Sequence, residues 1–191
     1  MFRKNREDFR NIAIFLDRDG TIIEDKNYLS DPDQITLIPN TITALQLLKN
    51  NGFKLILTTN QSGISRGYFS RNKLKEIHDK LVTILGLNRI KLDGIYFCPH
   101  HPDKKCFCRK PSPGMALGAK KKFHLNLKKS YAIGDRMIDV EFARNFGGKG
   151  ILVLTGHGKE EESKNKADYV AKDLLDAAQW ITKSRFLRNR K

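Results

Sequence analysis

The chain has 191 residues, with 36 basic against 21 acidic side chains, a formal charge of +15, 39% hydrophobic and 30% charged residues. That length suits one folded domain burying roughly 70% of its unfolded surface without disulfide staples, and the composition excludes a disordered chain. The longest apolar run, Ile12 to Leu16, is five residues, far below the ~20 that span a bilayer as a helix.

The first ten residues are mostly charged and hold no apolar stretch of signal-peptide length, so a cytoplasmic protein without a membrane partner is expected. The run Ile12 to Leu16 reads as a buried strand and ends in Asp17-Arg18-Asp19-Gly20-Thr21. Residues two apart share a face of an extended chain, so Asp17 and Asp19 can point together into one crevice. Two carboxylates that close repel unless a cation or a shared proton sits between them, and Mg²⁺, with its preference for oxygen ligands, is the natural partner. An Asp carboxylate can also act as a nucleophile toward phosphorus. Taken alone, Asp19-Gly20 also fits a hairpin turn.

Ile42, Leu45 and Leu48 follow at helical spacing after Pro39, with Asn51-Gly52 as the stop. A second strand over Phe53 to Leu57 leads into Thr58-Thr59-Asn60-Gln61-Ser62-Gly63, hydroxyl and amide donors fit for phosphate oxygens or for an ordinary polar loop. Leu74, Ile77, Leu81, Ile84 and Leu85 mark an amphipathic helix with Ser70 as its N-cap.

After a third strand at Gly94 to Phe97 come all three cysteines, between positions 98 and 108. Cys98-x-His100 and Cys106-x-Cys108 make a soft four-ligand set for a structural Zn²⁺, with His101 an alternative imidazole donor. That loop runs into Arg109-Lys110, a planar fork and a point charge suited to phosphate or an oxygen-rich sugar. A helix over Met115 to Phe123, opened by Pro113, precedes a strand at Tyr131 to Ile133. That strand ends in Gly134-Asp135-Arg136, and Asp139 follows Asp135 by one helical turn within a helix over Met137 to Phe146. A fifth strand at Ile151 to Leu154 and a helix from Leu174 to Ile181 complete the pattern. Alternating strands and helices predict an α/β fold with a mainly parallel sheet, and ligands bind such sheets outside the strands' carboxyl ends.

Those motifs, in that order, resemble the haloacid-dehalogenase-like phosphatase superfamily: D-x-D-G-T at Asp17 to Thr21, a Thr at 59, Lys110, and G-D-x(3)-D at Gly134, Asp135 and Asp139. Thr59 to Ile64, Arg66-Gly67-Tyr68, Cys98 to Pro102 and Cys108 to Pro111 narrow the resemblance to the D,D-heptose 1,7-bisphosphate phosphatase family, over roughly residues 10 to 180. Arg136 stands where that family often has Lys, and the zinc-type loop is compact.

The resemblance implies a Rossmann-like fold without a large cap domain, one phosphatase domain over 1–191 with a basic tail at 181–191. It implies Asp17 as nucleophile, Asp19 as acid-base group, and Thr59 and Lys110 stabilising the transferring phosphoryl group. Mg²⁺ would be held by Asp17, Asp135 and the backbone carbonyl of Asp19, with Asp139 behind them; Asp25, Tyr28, Thr59, Asn60, Gln61, Ser62, Arg66, Arg109, Lys110 and Arg136 would line the substrate pocket. The implied substrate is a small anionic sugar phosphate, handled by a monomer. Related histidinol-phosphate phosphatases share these motifs, and a polynucleotide 3′-phosphatase or a non-enzymatic zinc-containing nucleic-acid module are the competing readings. The runs Ala119 to Lys129 and Ile181 to Lys191 carry ten of the fifteen excess charges, and a solvated helix face and tail explain them better than a nucleic-acid footprint.

Overall fold

The computed structural model describes residues 9–164 and 166–188; residues 1–8 and the side chains of most of the basic run at 181–191 lie outside the described residues. Six strands form one parallel sheet in the order β3-β2-β1-β4-β5-β6: β1 (Ala13–Leu16), β2 (Lys54–Asn60), β3 (Gly94–Cys98), β4 (Tyr131–Gly134), β5 (Lys149–Val153) and β6 (Tyr169–Ala171). The helices between them are α1 (Thr41–Asn50), α2 (Arg71–Leu87), α3 (Gly114–Phe123), α4 (Met137–Phe146), the short α5 (Gly158–Glu161) and α6 (Leu174–Arg188).

Strand alternation sorts the apolar side chains onto two faces. Ile14, Leu16, Leu55, Leu57 and Ile133 pack with Leu45 and Leu48 of α1, Ile77 and Leu81 of α2, and Ala177 and Ile181 of α6. On the opposite face Phe15, Ile56 and Ala132 meet Met115 and Ala119 of α3 and Phe142 and Phe146 of α4. The helices appear where their apolar spacing and caps demand. Ser70 Oγ accepts from the Lys73 amide at 3.1 Å and starts α2, and Gly147 in the left-handed region ends α4.

Three expectations change. β2 runs three residues beyond Leu57, so Thr58 to Asn60 belong to the strand and not to a loop after it. β6 has only three residues and no apolar run to announce it. α6 continues seven residues past Ile181, whose side chain is fully buried, so the helix runs on beyond the expected end.

The sheet grows from β1 toward β2 and β3, then returns to place β4 on the other side of β1. This reversal opens a crevice between the carboxyl ends of β1 and β4, where ligands enter open α/β sheets. Asp17 and Asp135 follow those strands directly. Between β1 and α1 the chain holds two isolated bridges, Asp19 to Ile23 and Ile23 to Leu37, and a 3₁₀ turn at Pro32–Gln34. It inserts no cap domain over the crevice there.

Candidate active site

At the β1–β4 crevice the carboxylates of Asp17, Asp135 and Asp139 offer oxygens that all lie within 4.8 Å of one another. Lys110, from the loop between β3 and α3, reaches two of them: its Nζ donates to Asp17 Oδ1 at 2.7 Å, Asp139 Oδ1 at 2.6 Å and the Thr58 carbonyl at 2.8 Å. Three carboxylates and one ammonium leave two formal negative charges in a largely buried space. Burial pushes the Asp17 carboxyl up to about 8, with Asp139, Asp135 and Asp19 adding to the rise and Lys110 opposing it. Burial likewise raises Asp135 to about 6. For Lys110 burial works downward, but Asp139 and Asp17 outweigh it and hold the ammonium charged.

Asp135 Oδ1 and Asp139 Oδ2 are buried without a hydrogen-bond partner, and orphaned buried carboxylate oxygens are costly. Glycine permits the close packing around them: Gly20 and Gly156 have positive φ, and a Cβ at either would overlap Asp135 Oδ2. Hard, converging, unpartnered oxygens with an excess of two negative charges fit a divalent oxygen-seeking cation such as Mg²⁺.

The second strand end behaves differently from a row of free donors. Asn60 Nδ2 donates to the Lys110 carbonyl at 3.1 Å, and Asn60 Oδ1 accepts from the Lys110 amide at 3.0 Å, so this side chain pins the lysine's backbone to β2. Gln61 Nε2 donates to Thr59 Oγ1 at 2.8 Å and to Asp19 Oδ2 at 3.0 Å. The Ser62 carbonyl accepts from Ser65 Oγ, closing the loop on itself.

At the rim, Asp25 Oδ2 sits 3.8 Å from Arg136 Nη2 and 3.3 Å from His157 Nε2. Tyr28 is exposed and meets Tyr68 edge to face, with ring centroids 4.7 Å apart. Arg66 is exposed on the same loop as Tyr68. Arg109 Nη1 donates to the His100 carbonyl at 3.3 Å, and with Lys104, Lys105 and Lys110 it lines a cleft of about 710 Å³ whose walls carry no acidic residue.

In the loop after β3, His100 Nδ1 lies 3.5 Å from Cys98 Sγ and 3.4 Å from Cys108 Sγ, and Cys106 Sγ is 3.4 Å from both other thiols. These four donors form one compact group. His101 turns instead to Asp103, 3.2 Å away, so the geometry selects His100 as the imidazole of the set.

Three contributors are not singled out by sequence motifs. Arg18 is buried behind Asp19; His78 is buried on α2; and the His157 amide donates to Asp135 Oδ2 at 2.8 Å. His78 had a legible signal, since it falls on the Leu74, Ile77, Leu81 stripe of α2. His157 had none, because its role comes from its backbone.

A parallel sheet with paired aspartates after β1, a third after β4 and a buried lysine tying them together defines a haloacid-dehalogenase-like phosphatase, a phosphoric monoester hydrolase. A HAD-hydrolase-like family model matches residues 107–177. The chain is 42% identical over 180 residues to D-glycero-beta-D-manno-heptose-1,7-bisphosphate 7-phosphatase of Escherichia coli (strain K12), covering 90% of this chain and 94% of that protein. The Pasteurella multocida (strain Pm70) enzyme of the same name is 41% identical, covering 88% of this chain and 96% of its own. The crystal structure of D,D-heptose 1,7-bisphosphate phosphatase from B. bronchiseptica, complexed with magnesium and phosphate, superposes with a TM-score of 0.84 at 33% identity, covering 91% of this chain and 99% of that one. The chain belongs to the D,D-heptose 1,7-bisphosphate phosphatase family.

Proposed function

We propose that this protein hydrolyses the C7 phosphate of D-glycero-D-manno-heptose 1,7-bisphosphate, leaving the 1-phosphate for heptose activation in lipopolysaccharide-core assembly. The observation that carries the chemistry is the contact of Lys110 Nζ with both Asp17 and Asp139 beside two orphaned carboxylate oxygens. The substrate reading rests on the relatives named for that bisphosphate.

In this reading an Asp17 carboxylate oxygen attacks phosphorus, the C7–O side of the ester leaves, and an aspartyl-phosphate forms. Asp19 protonates the departing C7 oxygen and then takes a proton from the water that hydrolyses the acyl phosphate. Lys110 and the Thr59 hydroxyl stabilise charge on the phosphoryl oxygens. Asp17, Asp135 and the Asp19 carbonyl would hold Mg²⁺, which supplies charge neutralisation and orientation when bound. Asp139 would support that set while anchoring Lys110.

Cys98, His100, Cys106 and Cys108 would hold a structural Zn²⁺ that fixes the loop entering Arg109 and Lys110. Asp25, Tyr28, Ser62, Arg66, Arg109 and Arg136 would line the sugar and second-phosphate pocket; Asn60 and Gln61 support it through Lys110 and Asp19. The active species is proposed to be a cytoplasmic monomer with one domain, acting on a small anionic sugar phosphate.

A phosphate-release screen with Mg²⁺ tests this against both heptose bisphosphate anomers, histidinol phosphate and a 3′-phosphorylated oligonucleotide. Preference for a heptose bisphosphate is expected. Equal or better turnover of histidinol phosphate or of the oligonucleotide would overturn the substrate assignment.

A further inference from the structure

Arg18 is the largest fully buried side chain among the described residues. A permanent charge in that position is costly unless its hydrogen bonds are satisfied, and two of its three side-chain partners, Asp19 and Gln61, meet at one carboxylate. Nε donates to Asp19 Oδ1 at 3.0 Å and Nη2 to Asp19 Oδ2 at 2.9 Å, a two-pronged grip that fixes the plane of the carboxylate. Nη2 also donates to Gln61 Oε1 at 3.1 Å, and Gln61 returns a bond to Asp19 Oδ2. Nη1 faces His78 Nε2 at 3.5 Å. His78 is buried on α2 with the Phe97 ring 6.0 Å away, and burial followed by the Arg18 charge pulls it down to about 3 against a smaller upward pull from Asp79. It is therefore neutral, with Nε2 free to accept.

Arg18 is only 1% exposed, and a guanidinium does not give up its proton. It is unsuited to carry protons or to meet the substrate. Asp19, in contrast, follows the end of β1 and needs its carboxylate oriented to within a fraction of an ångström for proton transfer. We propose that Arg18, seated on His78 of α2 and tied to Gln61, is a positioning residue that sets the orientation of Asp19 for proton transfer to the leaving alcohol. This rests on the reading of Asp19 as the acid-base group.

The test exploits leaving-group chemistry. An alkyl ester such as the heptose bisphosphate needs protonation as it leaves, whereas p-nitrophenolate scarcely does. First-turnover rates with Mg²⁺ are compared on both substrates for the full-length protein and for Arg18→Lys, His78→Gln, His78→Leu and Asp19→Asn. Arg18→Lys keeps the charge but loses the fork; it is expected to lower the heptose bisphosphate rate by about 10²-fold, within the range general acid catalysis supplies, with KM changed less than about threefold and p-nitrophenyl phosphate far less affected. His78→Gln, which retains an acceptor, should keep most of the rate that His78→Leu loses. Equal losses on the two substrates, or a loss confined to KM, would overturn the proposal. If Arg18→Lys does not fold, the two His78 variants carry the same comparison: matching rates for Gln and Leu would contradict it. Asp19→Asn separates the two layers: should it show no leaving-group selectivity, the acid-base reading fails beneath the proposal, whereas selectivity in Asp19→Asn alone refutes only the role of Arg18.

Discussion

The molecule carries two ligand clusters built on opposite principles. At the β1–β4 crevice, Asp17 and Asp135 follow the ends of buried strands, Asp139 stands in the first turn of α4, and Lys110 arrives from the loop between β3 and α3. In the loop after β3, Cys98, His100, Cys106 and Cys108 come from eleven consecutive positions. The first cluster is hard, charged and partly unsatisfied, with carboxyls displaced upward by burial. The second is soft, and its donors already lie in mutual contact, although burial pushes the Cys98 thiol up to about 12. Reactivity is stored where the fold forces charges together; shape is stored where spacing alone suffices. Lys110 joins the two, since the loop that begins with thiols ends by placing an ammonium on Asp17.

The largest effect should come from breaking the first cluster at its nucleophile. Asp17→Asn is expected to lower kcat by at least about 10⁴-fold, as removal of an essential nucleophile does, with a fold unchanged by circular dichroism. Lys110→Met should lower kcat about 10²- to 10³-fold, the range for losing one preorganised charge stabiliser. It also removes the ammonium that faces Asp17 and Asp139, leaving the site more negative, so a lower Mg²⁺ requirement is expected in that variant and a higher one would contradict the pairing.

Breaking the second cluster should act indirectly. Chelation of the proposed zinc, or Cys106→Ser, is expected to reduce activity about 10- to 100-fold through displacement of Arg109 and Lys110, while hydrogen exchange in β1, β4 and β5 stays slow. Loss of protection throughout the sheet would show that the loop supports the whole fold and not the site alone.

The support beneath Asp19 has a pH effect on stability and not on turnover. His78 binds a proton near pH 6.5 when unfolded but only near pH 3 when folded. The unfolded state thus holds more protons between these values, and stability falls as pH drops through that window, by at most about 1.4 kcal/mol per pH unit, while it is fully present above about pH 6.5. Denaturant unfolding from pH 7 to pH 4 checks this, and His78→Leu should flatten the slope. The smallest effect concerns the charge excess. Because Ile181 and Thr182 are buried, a truncation that keeps both begins at Lys183, and its kcat/KM at low salt is expected to change less than about threefold, the remaining charge being sufficient for steering.

Much of the first cluster was legible because Asp17 and Asp135 each follow an apolar strand, with Asp139 one helical turn on, and parallel sheets put strand ends at ligand sites. Asp17, Asp135 and Lys110 meet as the motif order implies. The partners of Asn60 and Gln61 were not legible: the sequence offers amide donors, and only the fold determines that Lys110 and Asp19 take them. Arg18 hides for a similar reason, since a charged residue in a motif reads as exposed and only the fold brings Asp19, Gln61 and His78 around it. The three-residue β6 lacks periodicity altogether.

The most direct test is ³¹P NMR of D-glycero-D-manno-heptose 1,7-bisphosphate incubated with the protein and Mg²⁺. Conversion to heptose 1-phosphate and inorganic phosphate, absent in Asp17→Asn, is the expected result. Release of the C1 phosphate instead, or undiminished conversion by the Asp17 variant, would contradict the assignment of this crevice as a C7-phosphate hydrolase.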